Sequence, residues 1–331
     1  MGSDDKVVVD AHNDLLLLVD RRPPVEQAEY FRERWLPQLR AGGVGIQVLP
    51  VFAADLRSVL RMIGAAHRVA DGNGDEVMLC ETAADLDQAL ARGKIGLVLA
   101  IEGCAALGDD ASLLEPLFRL GVRMVSFTHF GRTGFADGSA EDHTRGGLTR
   151  AGIAALTLME ELGILIDVSH LSAAGVDDVL ERATRTMVAS HSSAHALRGH
   201  HRNLTDERLR GIAATGGVIG VNFMAGFIDP SNPTLDRLAD HVLHIADVAG
   251  IDHVGFGPDF IQEYAIETVV GDVVMDGVSL KQVIPDLGGP AGFPVVLDSL
   301  RARGVPSADV QKIAGDNWLR VLRAELGRPK A

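Results

Sequence analysis

The feature that most constrains the fold of this chain is a regular alternation of short apolar runs with longer amphipathic stretches. The apolar runs predict buried strands at residues 6–12, 44–51, 95–101, 123–128, 164–169, 186–190, 217–223 and 253–257. The stretches between them have helical periodicity at residues 54–71, 112–120, 149–162, 172–183, 205–215 and 235–249. Nearly continuous apolar strands separated by helices are typical of a parallel sheet covered on both faces. Eight such units in about 260 residues predict a (β/α)8 TIM-type barrel.

No repeat, low-complexity tract or hinge-like linker divides the sequence, so we expect residues 1–331 to form a single barrel domain. The Gly- and acid-rich segment 261–292 lacks regular periodicity, which predicts an irregular loop or lid over one face of the barrel. Residues 293–326 then predict closing helices, interrupted near Gly315.

Charge and cysteine content narrow the partners and the compartment. The chain has 45 acidic and 31 basic residues, a net charge of −14, and no basic cluster longer than residues 200–202. Nucleic acids and anionic membranes bind through clustered Lys and Arg, so we expect neither as a partner. The sequence shows no signal peptide and no run of about 18 apolar residues. Because Cys80 and Cys104 are the only cysteines, we expect a reducing compartment and a cytoplasmic location.

Acids and imidazoles fall at the ends of the predicted strands. They are His12, Asp14, Glu102, His129, His170, His191 and Asp259. The carboxyl ends of the strands of a parallel barrel converge on one mouth, where the active site is built. Gathered there without cations, these groups would repel one another and lose solvation. A divalent metal resolves that conflict, so the pattern predicts a metal site.

The donor types indicate which metal fits. Imidazole and carboxylate without thiolate suit Zn²⁺ or another divalent first-row ion. The donors exceed one tetrahedral sphere, which indicates two ions that share a carboxylate and hold a hydroxide for hydrolysis at neutral pH. The sequence has no serine-nucleophile elbow, phosphate-binding loop or dinucleotide motif. The pattern therefore favours a metal-dependent hydrolase.

Several short motifs recur in a characteristic order along the chain. They are DAHND at 10–14, LAIEG at 99–103, THFGRTGFADG at 128–138, LIDVSH at 165–170, ASHSSAHAL at 189–197, HRNLTDE at 201–207, GVIGVNF at 217–223, AGIDHVGFGPDF at 249–260 and GDNWLRVL at 315–322. Together they resemble the membrane (renal) dipeptidase family of binuclear zinc peptidases, over essentially the whole chain.

The resemblance implies two Zn²⁺ per chain. His12, Asp14 and a bridging Glu102 would hold the first ion, and Glu102, His170 and His191 would hold the second. The residues alone group these side chains without ranking them as ligands, acids or bases.

The resemblance also implies the roles of three further residues. Asp259 would take a proton from the bridging water and pass it to the leaving amine. His129 would hydrogen-bond the scissile carbonyl or the tetrahedral oxyanion. Arg202 would bind the C-terminal carboxylate of the substrate, which a planar guanidinium matches in shape.

Two positions depart from the family pattern. Asp259 is followed by Phe260, Ile261 and Gln262 where the family commonly has Asp-Phe-Asp-Gly, and Met224 stands where the family often has Tyr. The pattern therefore indicates the chemistry more firmly than the substrate.

The main hypothesis is a binuclear metal-dependent dipeptidase acting on dipeptides with a free C-terminal carboxylate, L,D-dipeptides among them. Two alternatives stay open. One is a related metal-dependent amide, lactam or lactone hydrolase or a tailoring peptidase, and the other is a catalytically silent metal-binding barrel. A homodimer is an analogy with the family, since nothing in the exposed sequence pattern demands one.

Overall fold

The computed structural model describes residues 7–328, in which parallel strands close into a barrel surrounded by helices. Numbered along the chain, the strands are β1 (Val8–Asp10), β2 (Val44–Val51), β3 (Val77–Leu79), β4 (Ile95–Glu102), β5 (Val122–Ser126), β6 (Leu165–Asp167), β7 (Met187–Ser192), β8 (Ile219–Val221) and β9 (Val254–Phe256). All except β3 form the closed ring, in which β2 pairs with β4 and β9 pairs with β1. Each predicted strand coincides with one of these barrel strands, so the predicted (β/α)8 fold is confirmed. Residue 6, which begins the first predicted strand, lies outside the described residues.

One strand of the sheet was not among those predicted. β3 pairs in parallel with the first residues of β4, whereas β5 pairs with β4 from Leu99 onward. β3 therefore extends the sheet at the amino end of β4 and is not one of the eight strands that close the barrel. A run of three residues is too short for the two-residue periodicity of a strand to reveal it.

The helices are α1 (Leu15–Asp20), α2 (Gln27–Tyr30), α3 (Leu36–Ala41), α4 (Leu56–Gly72), α5 (Ala83–Ala91), α6 (Leu114–Arg119), α7 (Arg150–Leu162), α8 (Ala173–Arg182), α9 (Asp206–Ala214), α10 (Ala225–Ile228), α11 (Leu235–Ala249), α12 (Gln262–Thr268), α13 (Phe293–Ala302), α14 (Ser307–Gln311) and α15 (Asn317–Glu325). The predicted helices correspond to α4, α6, α7, α8, α9 and α11. The Asp55 carboxylate begins α4 by accepting a hydrogen bond from the Ser58 amide at 3.0 Å. Val59, Ile63 and Ala66 of α4 are buried on one face, as helical periodicity requires. None of the described helices is both long enough and apolar enough to cross a membrane.

The side chains of β4 show how the strands separate two parts of the core. Leu99 and Ile101 belong to the large apolar cluster that includes most of the surrounding helices. Val98 and Ala100 belong to a second cluster. Because successive strand residues point to opposite faces, Glu102 lies on the same face as Val98 and Ala100, at the carboxyl end of the strand.

Later segments of the chain pack against the amino ends of β1 and β9. A π-helical turn, Lys312–Asp316, leads into α15. The turn lies so close to β1 that a Cβ atom at Gly315 would collide with the Val7 carbonyl oxygen. The Asn317 side-chain amide donates to the Val254 carbonyl oxygen at 2.8 Å, at the start of β9. These contacts require glycine at position 315 and explain the amide at position 317.

Segment 261–292 contains α12 and an antiparallel hairpin, formed by β10 (Val274–Met275) and β11 (Val278–Ser279). The hairpin turn consists of Asp276 and Gly277, whose φ angles are 54° and 78°. Positive φ at both central residues is the requirement of the favoured two-residue hairpin loop, and Asp-Gly meets it. The residues of the turn thus specify a hairpin in a segment whose sequence lacks helix or strand periodicity.

Candidate metal centre and active site

The carboxyl ends of the barrel strands bring all the predicted site residues except Arg202 into one cluster. The cluster consists of His12 and Asp14 after β1, Glu102 at the end of β4, His129 after β5, His170 after β6, His191 in β7 and Asp259 after β9. Each of the five residues predicted as metal ligands is at most 6% exposed. Such burial of charged and titratable groups is stable only when they are paired or bind a metal.

Glu102 lies at the centre of this cluster. Its Oε2 atom is 3.5 Å from His12 Nε2. Its Oε1 atom is 3.0 Å from His170 Nε2 and 3.6 Å from His191 Nε2. The ligand atoms of His12, Asp14 and Glu102 all lie within 4.8 Å of one another. Because the two carboxylate oxygens face different imidazoles, Glu102 is placed as a bridging ligand would be.

Buried nitrogen atoms in the cluster indicate that a metal fits. His191 Nε2 lies 2.7 Å from His170 Nε2. His12 Nε2 is buried and has no hydrogen-bond partner among residues 7–328. A buried polar atom without a partner costs free energy, whereas imidazole nitrogen and carboxylate oxygen together are ligands that zinc accepts. The residues present therefore fit a zinc-type centre.

The charges of the cluster also indicate that a metal fits. Burial lowers the pKa of His170 and of His191 well below the usual range, so both are neutral imidazoles with a lone pair to donate. Burial opposes the charge of His12, but the carboxylates of Glu102, Asp14 and Asp259 raise its pKa to about 10. The carboxylates thus stabilise a positive charge in the cluster. A divalent cation would neutralise their negative charge more fully than one proton does.

Glu102 and Asp14 respond differently to the same surroundings. Burial favours the neutral acid in both, and the negative charge of Glu102 raises the pKa of Asp14 further. The positive charge of His12 and the hydrogen bond from His170 instead hold the pKa of Glu102 well below its usual range. Glu102 is therefore ionised, as a bridging carboxylate must be.

A hydrogen-bond relay that the sequence did not reveal orients His191. The Ser190 hydroxyl donates to the Asp167 carboxylate, and its oxygen accepts a hydrogen bond from His191 Nδ1–H at 2.7 Å. Asp167 also accepts the Ser190 backbone N–H at 2.8 Å. With the proton on Nδ1, Nε2 is free to bind a metal. Ser190 directly precedes His191, and Asp167 lies three residues before His170; this nearness to predicted ligands is the only signal that the sequence offers.

Asp259 is held at the edge of the cluster by both its side chain and its backbone. Its Oδ2 atom accepts a hydrogen bond from the Asn222 side-chain amide at 2.9 Å, and its Oδ1 atom lies 3.8 Å from His12 Nε2. Its backbone N–H donates to the His12 carbonyl oxygen at 3.0 Å. Asn222, a third residue missed in the sequence, thus leaves Oδ1 free to face the cluster.

His129 lies in the wall of a cavity of about 140 Å³ that opens beside Glu102. Its ring packs against Phe52 and Phe130, each with a centroid distance of 4.6 Å. His129 Nε2 is 4.0 Å from Glu102 Oε1. Burial lowers the pKa of His129, so its neutral imidazole can offer one N–H to a ligand in the cavity.

Arg202 lies in an adjoining cavity, which shares His170 with the first. Its side chain is buried, and Nη2 donates to the His191 carbonyl oxygen at 3.1 Å. Its Nε has no hydrogen-bond partner, and no carboxylate forms an ion pair with it, among the residues that the structure describes. The guanidinium lies 5.6 Å from the ring centre of Phe227, which lines the first cavity. A buried guanidinium with free donors is suited to an anionic group of a ligand.

The sequence model of the membrane dipeptidase family, peptidase family M19, matches residues 3–329. The chain belongs to this family. Its membership confirms the resemblance that the motifs predicted.

Individual relatives agree in sequence and in fold. Dipeptidase verJ of Clonostachys rogersoniana is 31% identical over 268 residues, which make up 81% of this chain and 65% of that protein. The crystal structure of the M19 metallopeptidase dipeptidase AC is 25% identical, with a TM-score of 0.83 over 98% of this chain and 100% of that chain. A Rhodobacter sphaeroides metallopeptidase, solved with a phosphinate mimic of L-Ala-D-Ala, is 24% identical, with a TM-score of 0.83 over 96% of this chain and 99% of that chain.

The two departures from the membrane dipeptidase pattern lie in the wall of the cavity beside Glu102. Met224 is buried at the start of α10, and Ile261 precedes α12. Both line the cavity together with Phe227 and Asp259. The changed positions therefore lie where a substrate would contact them.

Proposed function

We propose that this membrane dipeptidase family member hydrolyses the amide bond of dipeptides with a free C-terminal carboxylate, using two metal ions. The observation that carries the proposal is Glu102, whose two oxygens face His12 on one side and His170 and His191 on the other. Asp259, a group able to accept and release a proton, lies 3.8 Å from His12 Nε2 and lines the same cavity as Glu102.

In this proposal His12, Asp14 and Glu102 hold one zinc ion, and Glu102, His170 and His191 hold the other. Other divalent first-row ions fit the same donors. When bound, the two ions would supply Lewis-acid polarisation of the scissile carbonyl and activate water for attack. The neutral imidazoles of His170 and His191, and the Ser190 relay behind His191, support their role as ligands.

Asp259 and His129 act on the reacting atoms. Asp259 Oδ1 accepts a proton from the attacking water and passes it to the leaving amine nitrogen, while Asn222 keeps Oδ2 in place. His129 donates its N–H to the carbonyl oxygen as negative charge develops there. The position of His129 in the cavity wall beside Glu102 supports this role.

Arg202 binds the C-terminal carboxylate of the dipeptide. Its buried guanidinium has free donors and lies next to Phe227 of the cavity wall. The guanidinium is paired with no carboxylate among residues 7–328. A substrate carboxylate would therefore compensate for the hydration that the buried guanidinium has lost, without having to break an existing ion pair.

The C-terminal residue can have the D configuration in this proposal. The family resemblance suggests L,D-dipeptides, and the Rhodobacter sphaeroides relative was solved with a mimic of L-Ala-D-Ala. L-Ala-D-Ala and L-Ala-L-Ala are therefore the matched pair of test substrates.

The first experiment measures metal content and dipeptide hydrolysis on the same purified sample. We expect two zinc ions per chain and turnover that is lost on chelation and restored by zinc. His170→Ala should lose one zinc ion and the activity, while His143→Ala, whose side chain is 76% exposed, should keep both. A protein that binds no zinc and stays inactive after zinc is added would overturn the proposal.

A second candidate function is a related metal-dependent amide, lactam or lactone hydrolase or a tailoring peptidase. The observation that favours it is the presence of Met224 and Ile261 in the cavity wall. Zinc-loaded protein that leaves dipeptides intact but hydrolyses N-acyl amino acids or lactones would select this function.

We further propose that the chain is a single barrel domain, located in the cytoplasm, and that it can form a homodimer. The pairing of β1 with β9, which joins distant parts of the sequence, supports one domain. Cys80 and Cys104 are both unpaired and buried, which is consistent with a reducing compartment. Light scattering of the purified protein tests the dimer directly.

A further inference from the structure

The cavity beside Glu102 has one polar end and one apolar wall. Asp14, Glu102 and Asp259 lie at the polar end. The wall consists of Phe130, Met224, Phe227, Ile261, Val278 and Leu280, which also pack against one another as a separate apolar cluster. We call this set the apolar wall. A surface of this kind recovers free energy when it buries an apolar group of a ligand.

We propose that the apolar wall binds the side chain of the C-terminal residue of the dipeptide, so that the enzyme prefers substrates ending in a large apolar residue. This inference rests on the proposed function, since it assigns the substrate class of the same site. It turns Met224 and Ile261 from unexplained departures into determinants of specificity.

The position of Arg202 indicates that the apolar wall contacts the side chain of the C-terminal residue and not that of the N-terminal residue. The C-terminal carboxylate and the side chain of that residue branch from the same Cα atom, so they bind within a few ångströms of each other. The Arg202 guanidinium lies 5.6 Å from the ring centre of Phe227 and 6.0 Å from that of Phe130. A carboxylate held by Arg202 therefore places its own side chain at this wall, and leaves the free amine for the carboxylates at the other end.

The hairpin β10–β11 supplies Val278 to the wall and is anchored there. The His201 ring nitrogen Nε2 contacts the Asp276 carboxylate in the hairpin turn. Val278 is 2% exposed and packs so closely on α10 that a Cβ atom at Gly226 would lie 2.5 Å from its Cγ1 atom. The wall is therefore formed before a substrate arrives, and the substrate does not have to order it.

The test compares zinc-loaded protein on Ala-Gly, Ala-Ala, Ala-Leu and Ala-Phe, each with L and D C-terminal residues where these exist, and on the reversed dipeptide Leu-Ala. Burying the three extra carbons of leucine should raise kcat/KM for Ala-Leu about 10- to 50-fold over Ala-Ala. Leu-Ala should show no such gain. Equal values for Ala-Ala and Ala-Leu, or an equal gain for Leu-Ala, would overturn the inference.

A matched pair of variants on the hairpin locates the effect. Val278→Thr keeps the volume of the side chain but puts a hydroxyl in the wall, and should lower the Ala-Leu to Ala-Ala ratio about 3- to 10-fold. Val274→Thr makes the same change at a side chain that is 60% exposed, and should leave the ratio as it is. Thermal unfolding of both variants checks that they are folded. A ratio that falls equally in both would contradict a role for the wall.

Binding of inert analogues separates this inference from the proposed function. Phosphinate mimics of Ala-Ala and Ala-Leu cannot be hydrolysed, so their dissociation constants report the pocket alone. Tighter binding of the leucine mimic by about 10-fold or more supports the apolar wall even if dipeptides are not turned over, a result that would count against the proposed function only. Turnover of dipeptides with equal binding of both mimics would leave the function standing and reject the wall.

Discussion

Asp259 and His170 have backbone φ angles of 65° and 69°, a conformation that residues with a side chain rarely adopt. Such a conformation costs about 1–3 kcal/mol and persists only where surrounding contacts impose it. His170 Nε2 lies 3.0 Å from Glu102 Oε1, and Asp259 Oδ1 lies 3.8 Å from His12 Nε2, so both side chains face the cluster. The strain thus lies at the residues to which we assign proton transfer and metal binding.

The role that we assign to Asp259 predicts that its substitution lowers kcat without changing the zinc content. Asn tolerates the left-handed conformation and matches the shape of Asp, but it cannot carry the proton. Asp259→Asn should therefore lower kcat by about 10²- to 10⁴-fold with zinc content unchanged. Asp286 is also left-handed but exposed, so Asp286→Asn is the control and should leave kcat within twofold. Wild-type kcat in Asp259→Asn would remove the residue from the mechanism.

The Ser190 hydroxyl predicts a change in zinc affinity without contact to zinc. Ser190→Ala removes the group that fixes the tautomer of His191, and losses of this kind weaken metal binding by about 10- to 100-fold. Ser192→Ala removes another buried hydroxyl of β7, which donates to the Arg202 carbonyl oxygen, and should change zinc affinity less than twofold. Competition with a chromogenic chelator measures both. Equal losses of zinc affinity in the two variants would mean that the Ser190 hydroxyl does not act through His191.

At the scale of elements, His241 joins α11 to two neighbouring segments. Its Nδ1 atom accepts the Ala194 backbone N–H at 3.1 Å, and its Nε2–H donates to the Ile228 carbonyl oxygen at 3.3 Å. Burial lowers the pKa of His241 to about 4. The folded protein therefore keeps this imidazole neutral at pH values where the unfolded chain protonates it.

The shift gives stability a defined dependence on pH. Below pH 6.5 the unfolded chain binds a proton at His241 that the folded protein does not bind until about pH 4, so stability falls as the pH drops through this window. Between pH 7 and pH 5 the contribution is about 2 kcal/mol. His241→Gln should remove that part of the pH slope in urea unfolding, and the exposed His143→Gln should not. An unchanged slope in His241→Gln would show that another group is responsible.

The periodicity of the sequence was sufficient to predict the barrel and the ends of its strands. Each barrel strand is buried on both sides, so it appears as an apolar run, and the first polar residue after it marks the mouth of the barrel. For this reason Glu102 and His191 could be assigned to one site before any coordinate was known. The three-residue strand β3, which pairs with the first residues of β4, is too short to show this pattern.

The parts that the sequence did not predict depend on contacts between distant residues. The Ser190 hydroxyl reaches Asp167 only because β6 and β7 are neighbours in register. The left-handed backbone of Asp259 follows from its hydrogen bond to His12 across the closure of the barrel. No local pattern encodes either relation, because each joins residues more than 20 positions apart.

For the molecule as a whole, the cluster around Glu102 predicts that zinc stabilises the fold. Without a metal, the buried carboxylates of Asp14 and Glu102 and the partly buried carboxylate of Asp259 lack enough positive charge, so zinc would bind the folded state in preference to the unfolded chain. Zinc at about 1,000 times its dissociation constant should add about 4 kcal/mol to the free energy of unfolding. Glu102→Gln should lose most of this response, and the exposed Glu115→Gln should keep it. Thermal unfolding with chelator and with zinc measures the difference.

The pairing of β1 with β9 also has a consequence for biosynthesis. His12 and Asp14 leave the ribosome near the beginning of translation, and Asp259 leaves it only after most of the chain has been made. The hydrogen bond between the Asp259 amide and the His12 carbonyl oxygen, like the strand pair beside it, cannot form before then. A nascent chain therefore exposes His12 and Asp14, which we propose as metal ligands, long before Asp259 can join them, and the proposed site can be complete only late in synthesis. A polypeptide truncated before Asp259 would lack this hydrogen bond and the proposed proton-transfer group, so we expect it to be inactive on dipeptides.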